Sequence, residues 1–596
     1  MQNNKEAILK EYFGYGKFRP GQEDVIDSIL SKRDVLCIMP TGAGKSICYQ
    51  IPALMFDGVT IVVSPLISLM KDQVQFLKNS GIDAAYINSS LSPQVLEKVF
   101  LRVGNSQYKI IYVAPERLGT ASFLRAIKNL KISLVVVDEA HCISRWGFDF
   151  RPSYLEIVKF IDGLPVRPVL GAFTATATSV VKDDICRILS LRNPYVKTTS
   201  FDRENLFFDV RQPKHKDREL LNILRDKKSE SGIIYCATRK KTEEVYELLI
   251  ENGFSATKYH AGLEDEEKVK NQDDFICDKK RIMVATNAFG MGIDKGNVSF
   301  VIHYNMPKDM ESYYQEAGRA GRDGERAECI LLYGEGDIFT NKFLIDQSEQ
   351  DRIVTDNKYG LLNRMVDYCK TDKCLRRFIL EYFGEQRFGN CGNCGNCNED
   401  NFEEIDATDA AKTVLNCVKH LPRRYGKGTL ITVLQGGKDK RVTEAGLDSV
   451  AEYGALKSSK RDEIAKIIDK MLTAGLLEQE GEDYPVIKAS KNTDEENLKF
   501  FMRVRKKADK PKKKKEEKIS DELFERLRKL RYEISTREDV PAYIIFSNAT
   551  LRDMCVKMPE PIEDFLNVTG VGQMKCRNYG KEFIAEIQRY SKDIKG

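Results

Sequence analysis

No run of about 18 apolar residues occurs in this 596-residue chain, so no segment is expected to cross a bilayer as a helix. The first residues, M-Q-N-N-K-E, have no apolar core, and no secretory leader is expected. Tryptophan occurs once, at Trp146. An excess of one charge sign is nearly absent: 94 basic residues stand against 89 acidic ones, a net of +5. Residues 503–518 hold ten basic and three acidic residues, which leaves about −2 for everything else. Bulk charge therefore does not argue for a nucleic-acid partner; only local patches can. A cytosolic setting without membrane association is expected, and there the 15 cysteines stay mostly reduced.

The length is too great for one hydrophobic core and suggests about four domains. Residues 134–137 are four apolar residues in a row, read as a short buried strand that stops at the carboxylates of D-E-A-H (138–141). Upstream lies T-G-A-G-K-S (41–46). Its Thr41, Gly42 and Gly44 let backbone N–H groups close around phosphate oxygens, Lys45 reaches the terminal phosphates, and Ser46 can hold Mg²⁺. The strict phosphate-loop pattern wants glycine at position 39, where Met39 stands; the remainder has the form found in helicase-like ATPases. Asp138 completes a Mg²⁺ site, and Glu139 is left to orient or deprotonate the attacking water of ATP hydrolysis.

Ahead of the loop, residues 12–22 read Y-F-G-Y-G-K-F-R-P-G-Q. Pro20 and Gly21 break one helix and Gln22 opens the next. Gln22 can pair with an adenine edge and Tyr15 can stack on the ring; packing ahead of a helix is the other reading of these residues. Residues 59–63 and 110–113 are further strands, each ending in polar residues where an open parallel sheet places its ligand crevice. Ser64, Lys71 and Arg117 at those ends are candidate backbone-phosphate contacts. After D-E-A-H, residues 142–152 read C-I-S-R-W-G-F-D-F-R-P. Trp146, Phe148 and Phe150 interleaved with Arg145 and Arg151 suit a stacking platform for single-stranded bases. The alternative is that the single tryptophan is a core residue. T-A-T-A (174–177) offers small hydroxyl groups for a relay between ATP and nucleic-acid sites.

From about residue 200 the strand–helix alternation restarts, at 232–236, 281–286 and 300–304, without a second phosphate loop. Q-E-A-G-R-A-G-R-D-G (315–324) sets Arg319 and Arg322 three apart on a glycine-punctuated turn. A guanidinium delivered by a second domain neutralises charge developing on a γ-phosphate, and it arrives only on closure. Five cysteines then fall at 369, 374, 391, 394 and 397, and C-G-N-C-G-N-C supplies three thiolates tight enough for one ion. Zinc is expected there, an iron–sulfur cluster is its competitor, and spacing does not decide which fourth cysteine joins.

Together these motifs resemble the RecQ family of superfamily 2 DNA helicases. The resemblance implies a multidomain α/β protein. Two RecA-like doubly wound parallel-sheet lobes (1–200 and 201–342) are followed by a zinc-binding helical platform (343–404) and a winged-helix domain (405–502). A basic linker (503–519), expected to be disordered, and a small all-helical HRDC domain (520–596) complete the chain. It further implies 3′→5′ translocation on single-stranded DNA, duplex unwinding in recombination and repair, and a bacterial cytosol or nucleoid. Carried over residue by residue, Tyr15, Arg19 and Gln22 hold adenine; Arg322 serves the transition state with Arg319 in support; Cys374, Cys391, Cys394 and Cys397 bind Zn²⁺, leaving Cys369 spare. Single-stranded and partly duplex DNA are the expected partners, with single-strand-binding protein a further candidate, and a monomer is expected. Arg423, Arg424, Lys427, Lys457, Lys460 and Arg461 are candidate DNA contacts in the winged helix. Its turn, E-G-E-D-Y-P (480–485), is short and acidic, unlike the long aromatic-tipped hairpin of some members. An RNA helicase and an ATP-gated scaffold without motor activity are the rival readings.

Overall fold

The computed structural model describes residues 4–595 except 148, 229, 290–294, 349–351, 399–401, 482–484, 491–497, 506–520, 539 and 541. Two compact units result: residues 1–397 together with 515–596, and residues 398–514.

The first unit holds two parallel sheets. Strands β1 (Val35–Ile38), β2 (Val59–Val63), β3 (Ala84–Ile87), β4 (Ile110–Val113), β5 (Ile132–Val137), β6 (Val169–Thr174) and β7 (Tyr195–Thr198) lie in the order β3-β4-β2-β5-β6-β1-β7. Strands β8 (Leu206–Arg211), β9 (Gly232–Tyr235), β10 (Ala256–Tyr259), β11 (Ile282–Ala285), β12 (Phe300–His303) and β13 (Ala327–Leu332) lie in the order β10-β11-β9-β12-β13-β8. The central strands are mostly apolar and buried because helices cover both faces. Val135 and Val137 enter one core while Leu134 and Val136 enter the other. The helix Gln22–Leu30 opens at Gln22 as expected, with Gly21 in the left-handed region, but Pro20 and Gly21 do not end the helix before it: Lys5–Phe13 stops at a left-handed Gly14, whose N–H bonds back to the last turn.

The C-terminal helices Asp521–Glu538, Ala542–Ile545, Asn548–Lys557, Ile562–Phe565 and Gln573–Lys595 have a core of their own around Leu527, Phe546, Leu551 and Phe583. They also rest on both lobes, which their neutral sequence does not signal. The Gly570 N–H donates to the Gly14 carbonyl at 3.1 Å, Asn548 donates to Asp323 at 3.3 Å, and Arg552 pairs with Glu325 at 2.6 Å.

In the second unit an antiparallel pair joins β14 (Phe402–Asp406) to β17 (Phe501–Arg505). Helices Thr408–His420, Lys427–Gln435 and Arg461–Thr473 pack against a second antiparallel pair, the hairpin of β15 (Leu477–Glu480) with β16 (Val486–Ala489). The β14–β17 pair corrects the start of the basic linker: residues 503–505 belong to a strand, because β14 supplies their ladder partners. The rest of the expected linker lies outside the described residues. No helix among the described residues is long and apolar enough to cross a membrane.

Candidate active site

Buried β1 feeds directly into the glycine loop. Gly42 (φ 82°) and Gly44 (φ 85°) are left-handed, a conformation that side chains resist, and Gly44 caps the helix Lys45–Met55. Met39 has no positive φ; it is fully buried in the core, so glycine's freedom is not needed there. Lys45 Nζ donates to the Met39 carbonyl at 2.9 Å. Burial lowers its pKa, opposed by the charges of Glu139 and Asp138. An ammonium this desolvated, at a helix N-terminus, fits a phosphate group. Gln22, expected at an adenine, is buried and turned onto this loop: its Nε2 donates to Gly44 O at 2.9 Å and its Oε1 accepts from Arg19 N at 2.8 Å. The Arg19 guanidinium donates to Gly42 O. Tyr15 is 37% exposed.

β5 delivers Asp138 and Glu139 to the crevice. Asp138 Oδ1 accepts from Glu139 N at 3.0 Å, and Glu139 sits at φ 47°, a costly position for a non-glycine residue. Burial, then the Glu139 charge, raises the Asp138 carboxyl above the usual range, while Lys45 pulls it down. A cation at Asp138 would relieve that cost. His141, the last letter of the motif, has no role legible in the sequence. Its Nδ1 lies 2.8 Å from Thr174 Oγ1 and 3.3 Å from Glu139 Oε2, joining D-E-A-H to T-A-T-A. The histidine itself is the signal, but only the fold reveals its partner. Ser64, a candidate DNA contact by sequence, is fully buried beside Asp138, out of a strand's reach.

From the second lobe, the helix Met310–Ala317 leads into the arginine turn. Arg322 packs over the phosphate loop: its Cγ is 3.6 Å from where a Cβ on Gly42 would lie. Arg319 is 7% exposed, and its charge lies near Tyr235 inside its own lobe, where the Tyr235 hydroxyl donates to the Phe289 carbonyl at 3.2 Å. The two arginines are thus unequal, and Arg322 is the one beside Lys45.

The aromatic loop folds back on D-E-A-H. A Cβ on Gly147 would lie 2.6 Å from His141 O, so glycine is required at that approach. Trp146 is 46% exposed, which overturns the core alternative for it. Arg145 stands 5.9 Å from the Phe150 ring centroid. Arg151 pairs with Asp149 at 2.9 Å and donates to Cys142 O through its backbone. Phe148 lies outside the described residues.

The sulfurs of Cys374, Cys391, Cys394 and Cys397 all lie within 4.8 Å of one another. The Cys391–Cys397 separation is 3.8 Å and the Cys374–Cys394 separation 4.0 Å. Sulfurs about 2.3 Å from one tetrahedral ion would be about 3.8 Å apart. Cys369 is buried and outside this group. Cys374 also caps the helix Leu375–Tyr382, accepting from Arg377 N. In the second unit, four candidate contacts are engaged: Arg424 pairs with Glu480, Lys427 pairs with Asp469 at 2.7 Å, Arg423 donates to the Tyr425 hydroxyl at 3.0 Å and Arg461 to Thr432 Oγ1 at 3.4 Å.

Comparisons with known proteins agree with this layout. Family models match for DEAD/DEAH box helicase (residues 19–184), helicase conserved C-terminal domain (215–324), RecQ zinc-binding (335–398), RQC domain (401–515) and HRDC domain (520–587). The ATP-dependent DNA helicase RecQ of Bacillus subtilis (strain 168) is 45% identical over 99% of this chain and 100% of its own length. The protein of the same name from Haemophilus influenzae is 38% identical over 98% and 96%. A putative ATP-dependent RNA helicase of Acanthamoeba polyphaga mimivirus is 37% identical over 79% and 88%. With identity of this order along its whole length, the chain belongs to the RecQ family of ATP-dependent DNA helicases.

Proposed function

We propose that this helicase translocates 3′→5′ on single-stranded DNA and unwinds duplexes in recombination and repair. It would act as a monomer in the bacterial cytosol or nucleoid, with single-strand-binding protein a candidate partner. The observation that carries this reading is the Arg322 side chain of the second lobe packed against Gly42 of the first lobe's phosphate loop. Hydrolysis then depends on lobe closure, which is what a stepping motor needs.

Lys45, with the N–H groups around Gly42, Gly44 and Thr41, binds the triphosphate; Ser46 and Asp138 would hold Mg²⁺, which would supply positive charge to neutralise the phosphates. Glu139 orients the attacking water and accepts its proton. Arg322 neutralises charge developing at the γ-phosphate, and Arg319 supports it from the same turn. Tyr15, Arg19 and Gln22 select adenine, which requires Gln22 and Arg19 to leave the carbonyls of Gly44 and Gly42. Bases stack on Trp146, Phe148 and Phe150 while Arg145 and Arg151 meet phosphates. The His141–Thr174 contact carries that occupancy to Glu139. The four cysteines hold Zn²⁺ in a closed, structural site, since four thiolates leave no open position.

The test is strand displacement on duplexes with 3′ or 5′ tails, with and without ATP. Unwinding of the 3′-tailed substrate alone is expected, abolished by Lys45→Ala. A preference for the 5′ tail would reverse the polarity, and unwinding by Lys45→Ala would end the ATPase assignment. The viral relative, named for RNA, keeps that substrate in view, so ATPase stimulation by single-stranded DNA and RNA is compared; DNA should exceed RNA.

A further inference from the structure

Arg203 lies on the crossing between the lobes, after β7 and before β8. None of the phosphate, metal or arginine motifs includes it. Its guanidinium is largely buried, and it donates to main-chain carbonyls and one side-chain amide. Nη1 donates to Thr41 O at 2.9 Å and Gly318 O at 3.4 Å; Nη2 donates to Ala320 O at 3.1 Å and Gly321 O at 2.8 Å; Nε donates to Asn205 Oδ1 at 3.4 Å. Three of these carbonyls belong to the turn that carries Arg319 and Arg322, and one belongs to the phosphate loop. We infer that Arg203 is a positioning residue, which fixes the arginine turn of the second lobe in register with the phosphate loop of the first.

A buried cation needs hydrogen bonds at every donor, and main-chain carbonyls supply them only while both loops hold this geometry. A planar five-donor fork can span two loops; an ammonium is a compact point charge and cannot. Burial lowers the Arg203 pKa, in line with a group held by carbonyl dipoles rather than counter-charge. The neighbours reinforce the turn. Asn205 Nδ2 donates to Gly321 O at 2.9 Å and Glu325 O at 2.7 Å, and Thr41 Oγ1 donates to Gly318 O at 3.2 Å.

The root of the arm is fixed from the other side. Arg376, two residues into the helix capped by Cys374, donates to Arg203 O at 2.5 Å and pairs with Asp202 at 2.6 Å. Asn393, between two cluster cysteines, donates to Glu204 O at 2.9 Å. Phe201 stacks on Phe383 with centroids 4.5 Å apart. The cysteine module therefore anchors the backbone of residues 201–206, and the guanidinium reaches from that anchor to the reacting centre. Opening the lobes would break the Thr41 contact and leave the turn contacts intact, so Arg203 registers closure at the first carbonyl of the phosphate loop.

This rests on the reading of Arg322 as the transition-state group, so the experiment includes Arg322→Ala. Full-length Arg203→Gln, Arg203→Lys, Arg322→Ala and Arg203→Gln/Arg322→Ala are compared in DNA-stimulated ATPase, with affinity for a fluorescent non-hydrolysable ATP analogue measured separately. Misplacing a catalytic group by about 1 Å costs on the order of 10²-fold. Arg203→Gln should lower kcat by about that factor while analogue affinity changes by less than about threefold, and the double variant should be no slower than Arg322→Ala. Should Arg203→Gln lose zinc or fold, Arg203→Lys decides: it keeps the charge and should still lose most of kcat at unchanged analogue affinity. Wild-type kcat in whichever variant folds, or losses that multiply in the double variant, would overturn the inference. Full activity in Arg322→Ala would instead overturn the reading of Arg322.

Discussion

The two lobes share one strand order: β10-β11-β9-β12-β13-β8 repeats β3-β4-β2-β5-β6-β1, so β8 stands where β1 does and β12 where β5 does. The loops leaving those strands differ. β1 runs into a loop with two left-handed glycines, and β5 into two carboxylates. β8 runs into Q-P-K-H (212–215), which has no glycine and whose proline lacks an N–H, and β12 into Y-N-M (304–306). On the function proposed above, one architecture is used once to bind and activate a nucleotide and once to present arginines. On that proposal neither lobe holds a complete catalytic set, and the distance between them is the controlled variable.

The sharpest way to break this comparison is to remove the first lobe's contribution. Lys45→Ala should reduce ATPase by about 10³-fold or more. The Lys45 ammonium is tied to the fold through Met39 O, a single main-chain carbonyl, so thermal stability should move by only a few degrees. Glu139→Gln should match that loss with ATP binding retained, measured by analogue fluorescence. Next, Arg322→Ala removes the second lobe's contribution, at about 10³-fold by analogy with arginine fingers. Were Arg322→Ala to lose ATP affinity instead of kcat, the second lobe would be a binding wall and the two lobes would not divide the chemistry.

Much of this division is legible in the sequence. The strands around Val62, Ile111 and Val135 read as apolar, β-branched runs because both faces are covered, and D-E-A-H and T-G-A-G-K-S are motifs whose residues lie together in the sequence. The features that stay hidden depend on contacts between distant segments. Arg203 looks like any arginine in F-D-R-E-N-L until Thr41 and Gly318, over 100 residues away in either direction, supply its carbonyls. His141 needs Thr174, and β14 needs β17 almost 100 residues later, which is why composition alone starts the basic linker three residues too early. Gln22 shows a different limit: its residue type suggests adenine, but its amide is bound to the phosphate loop's own carbonyls.

The metal centre tests whether the second lobe's arm is held from behind. Denaturing chelation should release about one Zn²⁺ per chain, and Cys391→Ser should lower both zinc content and kcat by about tenfold. An iron-linked visible absorbance would overturn zinc, and full kcat in zinc-depleted protein would show that Arg376 holds residues 202–206 unaided. A smaller effect belongs to the first lobe's rim. Trp146→Ala should leave ATPase without DNA within about twofold and remove most of its stimulation by single-stranded DNA, since stacking contributes about 1–3 kcal/mol per base. Equal stimulation in mutant and wild type would return the loop to a structural role.

The smallest predicted effects come from the C-terminal domain, which contacts each lobe differently. On the first lobe the tight fit is to backbone, with one ring contact between Lys575 and Phe76 beside it: Gly14 is left-handed at φ 74°, and a Cβ there would lie 2.6 Å from the Val571 carbonyl carbon. On the second it meets side chains, in an Arg552–Glu325 pair more than a third exposed. An exposed pair contributes about 0–1 kcal/mol, while a Cβ in a left-handed position costs about 1–2 kcal/mol before any clash. Gly14→Ala should therefore lower Tm more than Arg552→Glu, with ATPase affected mainly by the former because Tyr15 is the next residue. A larger loss from Arg552→Glu would mean that charge rather than backbone fit seats the domain, and that its hold falls on the arginine turn, three residues from Arg322, instead of on the adenine side.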